Sequence, residues 1–480
     1  MDIKAVLHTI GALLVFIGCS FILPIIVSIV YHESDLLPFV WSLAVTVSVG
    51  FLLWKLTPSN HDIKIREGFG IVTFSWVALS AFGALPFFFC LDISFTDAFF
   101  ETMSGFTTTG ATIFPEVESL PHGLLFWRSL THWLGGMGII VLSLAIMPML
   151  GVGGMQLFKA EAPGPSVDKI KPRVQDTAKI LWVVYLMLTV IEAILLRVVG
   201  MNWFDAICHT FGTMATGGFS TKNAGLMHYY DNVLVEYIIA VFMILAGINF
   251  ALHYRFSRGR FSAYHQNSEC RTYLGIITFT TVFLLFMTFG ANFLTVEESF
   301  RKAIFQVASL LTTTGFHTAD YEQWSVASQL LLTLLMFIGG CAGSTGGGIK
   351  VVRVDLTFRY LQTQFKRLVH PHAVTPVRFN NRPVSNDAIR DILGFVLVYV
   401  ILFGVSSFLM SLLGLDLVTA VSTVISTLGN IGPGIGSVGP TENFAHIPVI
   451  GKWLLSFLML AGRLEIFTVL IVFSKYMWRR

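Results

Sequence analysis

Long apolar runs separated by short polar connections make up most of the chain. A helix needs about 20 mostly apolar residues to cross the hydrocarbon core of a bilayer. By that criterion the sequence predicts ten spanning helices, at residues 5–30, 37–57, 69–91, 123–150, 180–201, 233–254, 272–293, 326–352, 391–413 and 448–474. The first run is too long for a signal-peptide core and lacks a small-residue cleavage site, so we expect it to be a retained span.

An ungapped repeat occurs four times, each time between two predicted spans. The copies occupy residues 97–110, 205–218, 302–315 and 419–432. Every copy has Ala at its second position, a small residue at its eighth and Gly at its last. The helical part of each copy reaches only ~15 Å, about half the bilayer. We therefore predict four re-entrant half-helices.

The end of each copy indicates a cation path. Irregular backbone at membrane depth persists only where it is buried in protein or lines a watery passage. Backbone carbonyls can replace the water of a cation without burying a charge, while Gly permits the required backbone angles and Thr adds a hydroxyl acceptor. One copy alone would be explained more simply as a helix-turn element packed through small residues. Four copies at equivalent positions favour a ring around one pore.

Composition and charge agree with a membrane protein. Of the 480 residues, 54% are hydrophobic and 12% are charged, which excludes an ordinary soluble domain. Basic residues cluster in alternate connections, which the positive-inside rule assigns to the cytoplasm together with both termini. These connections include 55–66, 159–179, 255–271 and 350–390. The last of them could dock a partner or contact anionic lipid heads.

Other candidate chemistry is sparse. The five Cys form neither a disulfide framework nor a Cys-x-x-Cys metal site. His132, His209 and His317 fall in different units without a ligand spacing, so we interpret them as structural. Gly343 to Lys350 resembles a phosphate loop only superficially, because it lacks the Gly-Lys-Ser/Thr ending and follows a span.

The eighth predicted span contains a glycine-rich interruption at residues 339–348. A continuous helix is disfavoured there, so we predict an unwound loop beneath the predicted ring. The loop could be a packing device or a mobile plug, and its occurrence in one unit only favours the plug. The predicted gate residues are Gly343, Ser344, Thr345, Gly346, Gly347 and Gly348.

Arg463 lies in the middle of the last predicted span, where a charge costs about 2.5–3.5 kcal/mol and normally faces protein or water. Glu465 is two residues away and cannot share its helix face. We hypothesise that Arg463 faces the pore, contacts the loop and acts as an electrostatic barrier. The alternative is a structural pair with Glu192 or another buried acceptor.

Several motifs carry a resemblance to a known family over nearly the whole chain. They are the four repeat copies, residues 128–138, residues 339–348 and Ala461-Gly-Arg463, together with the extra helix pair before the first unit. In these features the chain resembles the Trk/Ktr/HKT superfamily of potassium transporters, most closely its TrkH branch.

The resemblance implies a potassium filter formed by residues of all four copies. Gly is the last residue of every copy, and in this family Gly at these positions is associated with potassium selectivity. The fourth copy differs in having Asn-Ile in place of the Thr run. The implied filter residues are Thr108, Thr109, Gly110, Thr216, Gly217, Gly218, Thr313, Thr314, Gly315, Asn430, Ile431 and Gly432. The resemblance also implies a homodimer in a bacterial inner membrane and a cytoplasmic regulatory partner, a TrkA-like ring of nucleotide-binding domains.

We therefore expect an all-α polytopic membrane protein with four pseudo-symmetric helix/pore-helix/helix units around a central pore, preceded by an extra helix pair. The expected divisions are the helix pair at 1–60 and units at 61–160, 161–260, 261–370 and 371–480. The expected function is potassium uptake through a channel-like pore, with K+ as the transported ion and no organic cofactor or nucleic-acid partner. A proton- or sodium-coupled symporter is the alternative, although the predicted spans contain few carboxylates, Glu192 and Glu465 among them. An integral-membrane enzyme would need converging catalytic groups, which the sequence does not offer.

Overall fold

The computed structural model describes residues 1–57, 65–138, 174–372 and 375–478. Within these ranges the protein is helical apart from one short antiparallel hairpin, β1 (Arg378–Phe379) paired with β2 (Arg382–Pro383). The helices are α1 (Ile3–Ser20), α2 (Ile22–Tyr31), α3 (Leu36–Leu56), α4 (Ile65–Gly83), α5 (Leu85–Cys90), α6 (Phe95–Phe106), α7 (His122–Trp133), α8 (Val174–Val198), α9 (Trp203–Met214), α10 (Val233–Ala246), α11 (Phe250–Ser257), α12 (Ala263–Gln266), α13 (Ser268–Thr288), α14 (Val296–Leu311), α15 (Val326–Ile338), α16 (Val351–Val369), α17 (Asn386–Leu412), α18 (Leu417–Leu428), α19 (Val449–Arg463), α20 (Phe467–Leu470) and α21 (Lys475–Trp478). Short 3-10 turns occur at Val117–Ser119, Gly225–Tyr229, Tyr321–Gln323 and Ile471–Phe473, and a π turn at Leu134–Gly138.

Six helical segments in the described ranges are long and apolar enough to cross a bilayer. They are Ile3–Tyr31, Leu36–Leu56, Arg66–Cys90, Thr177–Val198, Ser268–Thr288 and Asn386–Leu412. The predicted span at 123–150 continues beyond the described residues, and so does the basic connection at 159–179.

Three of the predicted spans within the described ranges are sharply bent or interrupted by a non-helical loop. The predicted span at 233–254 bends by 101° between α10 and α11, and the span at 448–474 bends by 115° after Arg463. The span at 326–352 stops at Ile338, because Gly339 has a positive φ of 85°, and its helix resumes at Val351. Apolar content predicts these runs as membrane-embedded but does not predict where a helix breaks.

The four half-helices are α6, α9, α14 and α18, and each begins with a capping side chain. Ser94, Asn202, Thr295 and Asp416 accept hydrogen bonds from backbone N–H groups in the first turn of their helices. These residue types are the preferred N-caps. The sequence thus fixes the start of each half-helix locally, and the predicted all-α class is confirmed.

The extra helix pair packs through glycine. A Cβ atom on Gly11 of α1 would lie 2.7 Å from the Gly50 carbonyl oxygen of α3. The absence of a side chain lets the two backbones approach, as is common between membrane helices. One hydrophobic core joins this pair to the first and fourth units, and includes Phe21, Trp127, Phe106 and Leu458.

Candidate ion filter and the loop beside it

All four half-helices end in the same backbone turn. We name residues 107–110, 215–218, 312–315 and 429–432 filter segments 1 to 4. The second residue of each segment is left-handed: Thr108 (φ 53°), Thr216 (54°), Thr313 (61°) and Asn430 (55°). The N–H of the next residue returns to the final helical turn in each case, Thr109 to Ser104 O, Gly217 to Gly212 O, Thr314 to Ser309 O and Ile431 to Ser426 O, all at 2.8 Å.

This turn is the Schellman motif, in which glycine normally occupies the left-handed position. Here a β-branched Thr or an Asn occupies it in all four segments. A non-glycine residue in that conformation costs of order 1–3 kcal/mol, and such strain clusters at functional sites. The sequence pattern did not reveal this strain, because the strained residue lies two positions before each closing glycine.

The segments form a closed ring. A Cβ atom on Gly110 would lie 2.1 Å from Gly217 O, and one on Gly218 would lie 2.1 Å from Thr314 O. A Cβ on Gly315 would lie 1.9 Å from Ile431 O, and one on Gly432 would lie 2.6 Å from Thr109 O. Each closing glycine therefore abuts the carbonyl of the next segment, in the order 1, 2, 3, 4 and back to 1. The four glycines also line one cavity, which we name the ring cavity, together with Arg128, Lys222 and Glu442.

The ring is less symmetric in its side chains than in its backbone. Thr109 shares a 2.8 Å hydrogen bond with Thr107. Thr314 shares the equivalent 2.7 Å bond with Thr312. In segment 2 the His132 ring fills the equivalent space, since a Cβ on Gly217 would lie 2.2 Å from its Nδ1 atom. The Thr109 and Thr314 hydroxyls are thus engaged in hydrogen bonds within their own segments. The oxygens that all four segments have in common are the backbone carbonyls.

A buried ion pair holds segments 1 and 2 in place. Arg128 lies 2.7 Å from Glu101, and neither side chain is more than 2% exposed. Glu101 also accepts the Ile113 N–H at 2.9 Å. Arg128 donates to Ser220 O at 3.2 Å, just beyond segment 2. The pair therefore links the backbone that leaves one segment to the backbone that leaves the next.

Further polar contacts among the described residues join neighbouring units. Lys302 lies 2.7 Å from Glu236 and connects the third unit to the second. Lys452 lies 2.5 Å from Asp97 and connects the fourth to the first. Glu322 accepts the Gly436 N–H at 2.5 Å, which connects the third to the fourth. Sequence reasoning missed these contacts, although a charged residue at the first repeat position, Asp97 or Lys302, was an available signal.

The glycine loop, residues 339–350, contacts the filter segments, and none of its residues lines the ring cavity. Gly347 N–H donates to the Thr313 hydroxyl at 2.6 Å. Thr345 Oγ1 donates to Met214 O at 3.0 Å. A Cβ on Gly347 would lie 2.4 Å from Gly429 O. The loop thus touches the ends of segments 2, 3 and 4 or the helices that carry them.

The remaining loop residues hold its shape. Ser344 donates to Cys341 O at 2.6 Å within the loop. Gly343 has a φ of 75°, and its carbonyl accepts the Phe250 N–H at 3.0 Å. Gly348 has a φ of 72°, and a Cβ there would lie 2.9 Å from Gly339 Cα, so the two ends of the loop lie side by side.

The ammonium group of Lys350, at the end of the loop, folds back and donates to Gly346 O. Its charge therefore belongs to the loop and not to the basic connection that the charge pattern assigned it to.

Arg463 joins the loop to the first unit. It donates from Nη1 to Thr345 O at 2.7 Å and from Nη2 to Gly135 O and Gly136 O at 2.7 and 2.5 Å. Gly135 and Gly136 lie in the π turn that follows α7, a local irregularity that alters the usual helix hydrogen bonds. Glu192, which the sequence suggested as an alternative partner of Arg463, is not among these acceptors. Glu465 instead pairs with Arg353.

The described residues contain no group of three His, Cys, Asp or Glu side chains that could hold a metal ion. His209 is bonded to Asp205 O at 2.8 Å and to the Ser220 hydroxyl at 3.0 Å, which gives it a structural role. The candidate site is the ring of backbone oxygens formed by the four filter segments.

Comparisons with known proteins agree with this architecture. Residues 38–479 match the TrkH family model, described as a cation transport protein. The chain is 42% identical over its full length to the full length of the Trk system potassium uptake protein TrkH of Salmonella typhimurium. It is 34% identical to TrkG of Escherichia coli K12, with 99% of each chain covered. The crystal structure of the potassium transporter TrkH from Vibrio parahaemolyticus is similar over 100% of both chains, with a TM-score of 0.90 and 36% identity. The protein therefore belongs to the TrkH family of cation transport proteins.

Proposed function

We propose that the protein takes up potassium ions through a selective, channel-like pore. The observation that carries the proposal is the closed ring, in which each of the four closing glycines abuts the carbonyl of the next segment. A dehydrating cation needs several oxygens at one level, and backbone carbonyls provide them without a buried charge. The names of the relatives, which are potassium uptake proteins, support potassium as the ion.

Selectivity is proposed to come from the twelve filter residues, which are the last three residues of each of segments 1 to 4. The strained turns and the contacts behind them fix the carbonyls, so the ring cannot contract freely around a smaller ion. Sodium, which is smaller and holds its water more tightly, then regains less free energy on entering the ring. The half-helix C-termini beside the ring add partial negative charge that favours any cation.

The gate is proposed to consist of the glycine loop, at Gly343 to Gly348, together with Arg463. The loop lies against the ring, and the guanidinium group adds a fixed positive charge beside the ion path, which opposes the approach of a cation. Six glycines in residues 339–348 give the loop backbone freedom to move. Conduction then requires the loop and Arg463 to be displaced.

Regulation is proposed to come from a cytoplasmic, TrkA-like nucleotide-binding ring acting on a homodimer in the bacterial inner membrane. The relatives are named as parts of a Trk system, which supports a multi-component assembly. The positive-inside distribution supports cytoplasmic termini and a cytoplasmic basic surface for that partner.

Flux in liposomes tests the proposal. The purified protein is reconstituted, and uptake of potassium and sodium is measured at a clamped voltage, with protein-free liposomes as the control. We expect potassium flux to follow its electrochemical gradient, to exceed sodium flux and to persist when the proton gradient is collapsed. Flux that stops on removal of a proton or sodium gradient at the same voltage would favour the symporter instead.

A further inference from the structure

A basic cavity lies apart from the ring, at the end of the bundle where two spans begin. It measures about 840 Å³ and lies between the α11–α13 connection and the β1–β2 hairpin. Arg255, Arg260 and Arg382 line it, and no Asp or Glu belongs to its described lining. Such a cavity favours an anion, because the low-dielectric walls concentrate the field of the three guanidinium groups.

The position of the cavity indicates the depth of its ligand. Asn267 caps α13 and Ser385 caps α17, and both residues line the cavity. Both helices are long and apolar enough to span the bilayer. The cavity therefore opens where two spans leave the hydrocarbon core, at the level of lipid headgroups, and the two helix N-termini add partial positive charge there.

The remaining lining is apolar. Leu252, Leu356, Phe379 and Val384 form a wall beside the arginines. A small hydrated anion gains nothing from such a wall, whereas an amphipathic anion buries its hydrocarbon against it. Arginine also matches phosphate oxygens through two parallel hydrogen bonds.

We propose that this cavity binds the phosphate headgroup of an anionic phospholipid, with its glycerol and proximal acyl carbons on the apolar wall. Basic pockets between spans on the cytoplasmic side are a physically favourable place for such headgroups. Leu356 belongs to α16, which begins directly after the glycine loop, so the bound lipid contacts the helix that anchors the loop. The site goes beyond the proposed transport function and is tested by binding alone.

The test compares two double variants with the wild type in detergent micelles. Arg260→Gln with Arg382→Gln removes two lining charges. Arg258→Gln with Arg390→Gln removes two exposed charges, one at the end of α11 and one near the start of α17, outside the lining. Retained phosphatidylglycerol is titrated by native mass spectrometry, with phosphatidylcholine and soluble glycerol phosphate as further probes. Melting temperature without added lipid reports whether each variant is folded.

We expect phosphatidylglycerol to bind the wild type and the control variant equally, and the lining variant roughly 25-fold more weakly, since each basic residue at an anionic surface contributes about fivefold. Unchanged phosphatidylglycerol binding in the folded lining variant would overturn the proposal, as would equal binding of phosphatidylcholine. Equal affinity for soluble glycerol phosphate would replace the lipid by a free anion. A lining variant that keeps its lipid but no longer binds a cytoplasmic protein partner would assign the surface to that partner.

Discussion

The ring and the glycine loop use the same small residues, but they are held in different ways. Each filter segment is fixed by the same backbone turn, and buried charged side chains connect the units behind it. The glycine loop occurs once in the sequence, and its contacts with the ring and the first unit include hydrogen bonds from Thr345, Gly347 and Arg463. The ring thus has redundant support, whereas few hydrogen bonds join the loop to the ring and to the first unit.

This difference separates two tasks. A selective ring must keep its carbonyl geometry when an ion enters, and repeated local bonds maintain that geometry. A gate must have two arrangements that differ by only a few kcal/mol, which a loop with few hydrogen bonds to the ring can provide. Substitutions behind the ring should therefore affect folding, while substitutions at the loop should affect basal flux and leave selectivity unchanged.

The largest expected effect is on the ring scaffold. Arg128→Met leaves the Glu101 carboxylate buried without its partner, which should cost about 3–5 kcal/mol of stability and lower the midpoint of thermal unfolding in detergent. Adding Glu101→Gln should recover part of the loss, because the buried charge is then removed.

Arg390→Met is the matched control for this variant. The Arg390 side chain pairs with Asp387, and the two side chains are 80% and 89% exposed. The free energy of unfolding should therefore change by no more than about 1 kcal/mol. Equal unfolding midpoints for Arg128→Met and Arg390→Met would contradict the scaffold role of the buried pair.

A smaller effect is expected at the guanidinium group that holds the loop. Arg463→Ala removes charge-assisted hydrogen bonds, each worth about 1.5–3 kcal/mol, from the closed arrangement. If one such bond is lost on opening, basal potassium flux in liposomes should rise roughly 10- to 150-fold, with an unchanged potassium-to-sodium ratio.

Arg463→Lys keeps the charge but not the fork that reaches Thr345 O and Gly135 O together, so its flux should be intermediate. Wild-type flux in an Arg463→Ala protein that assembles normally would remove the barrier hypothesis.

The smallest effect is expected from Thr345→Val, which removes the hydroxyl that donates to Met214 O. Loss of one neutral hydrogen bond is worth about 1 kcal/mol, so basal flux should rise about fivefold. Thr363→Val is the control, because the Thr363 hydroxyl donates to Arg359 O one turn earlier in its own helix. A Thr345→Val flux no higher than that of the control would show that this bond does not hold the loop.

Much of the architecture could be predicted from the sequence, because hydropathy, capping residues and an ungapped repeat are local properties. The half-helices follow from Ser94, Asn202, Thr295 and Asp416 at their N-caps. The glycine interruption likewise predicted the break at Gly339, where φ is positive.

The remaining features depend on tertiary contacts that no local pattern encodes. The bend after Arg463 places Glu465 at a positive φ of 55° and pairs it with Arg353, far away in sequence. The choice of Gly at position 217 follows from the His132 ring beside it, which belongs to another unit. The hypothesised contact of Arg463 with the loop is present at Thr345 O, whereas its other acceptors, Gly135 O and Gly136 O, lie in a distant segment that sequence spacing does not identify.

The central claim, that the carbonyl ring selects the ion, is tested most directly by the reversal potential under opposed potassium and sodium gradients. Gly315→Ser introduces a side chain whose Cβ would lie 1.9 Å from Ile431 O, whereas Gly290→Ser has a similar positive φ and no described atom within 4 Å of the added Cβ. We predict that Gly315→Ser shifts the reversal potential toward equal permeability and that Gly290→Ser keeps the wild-type value. A folded Gly315→Ser protein with the wild-type reversal potential would contradict the account.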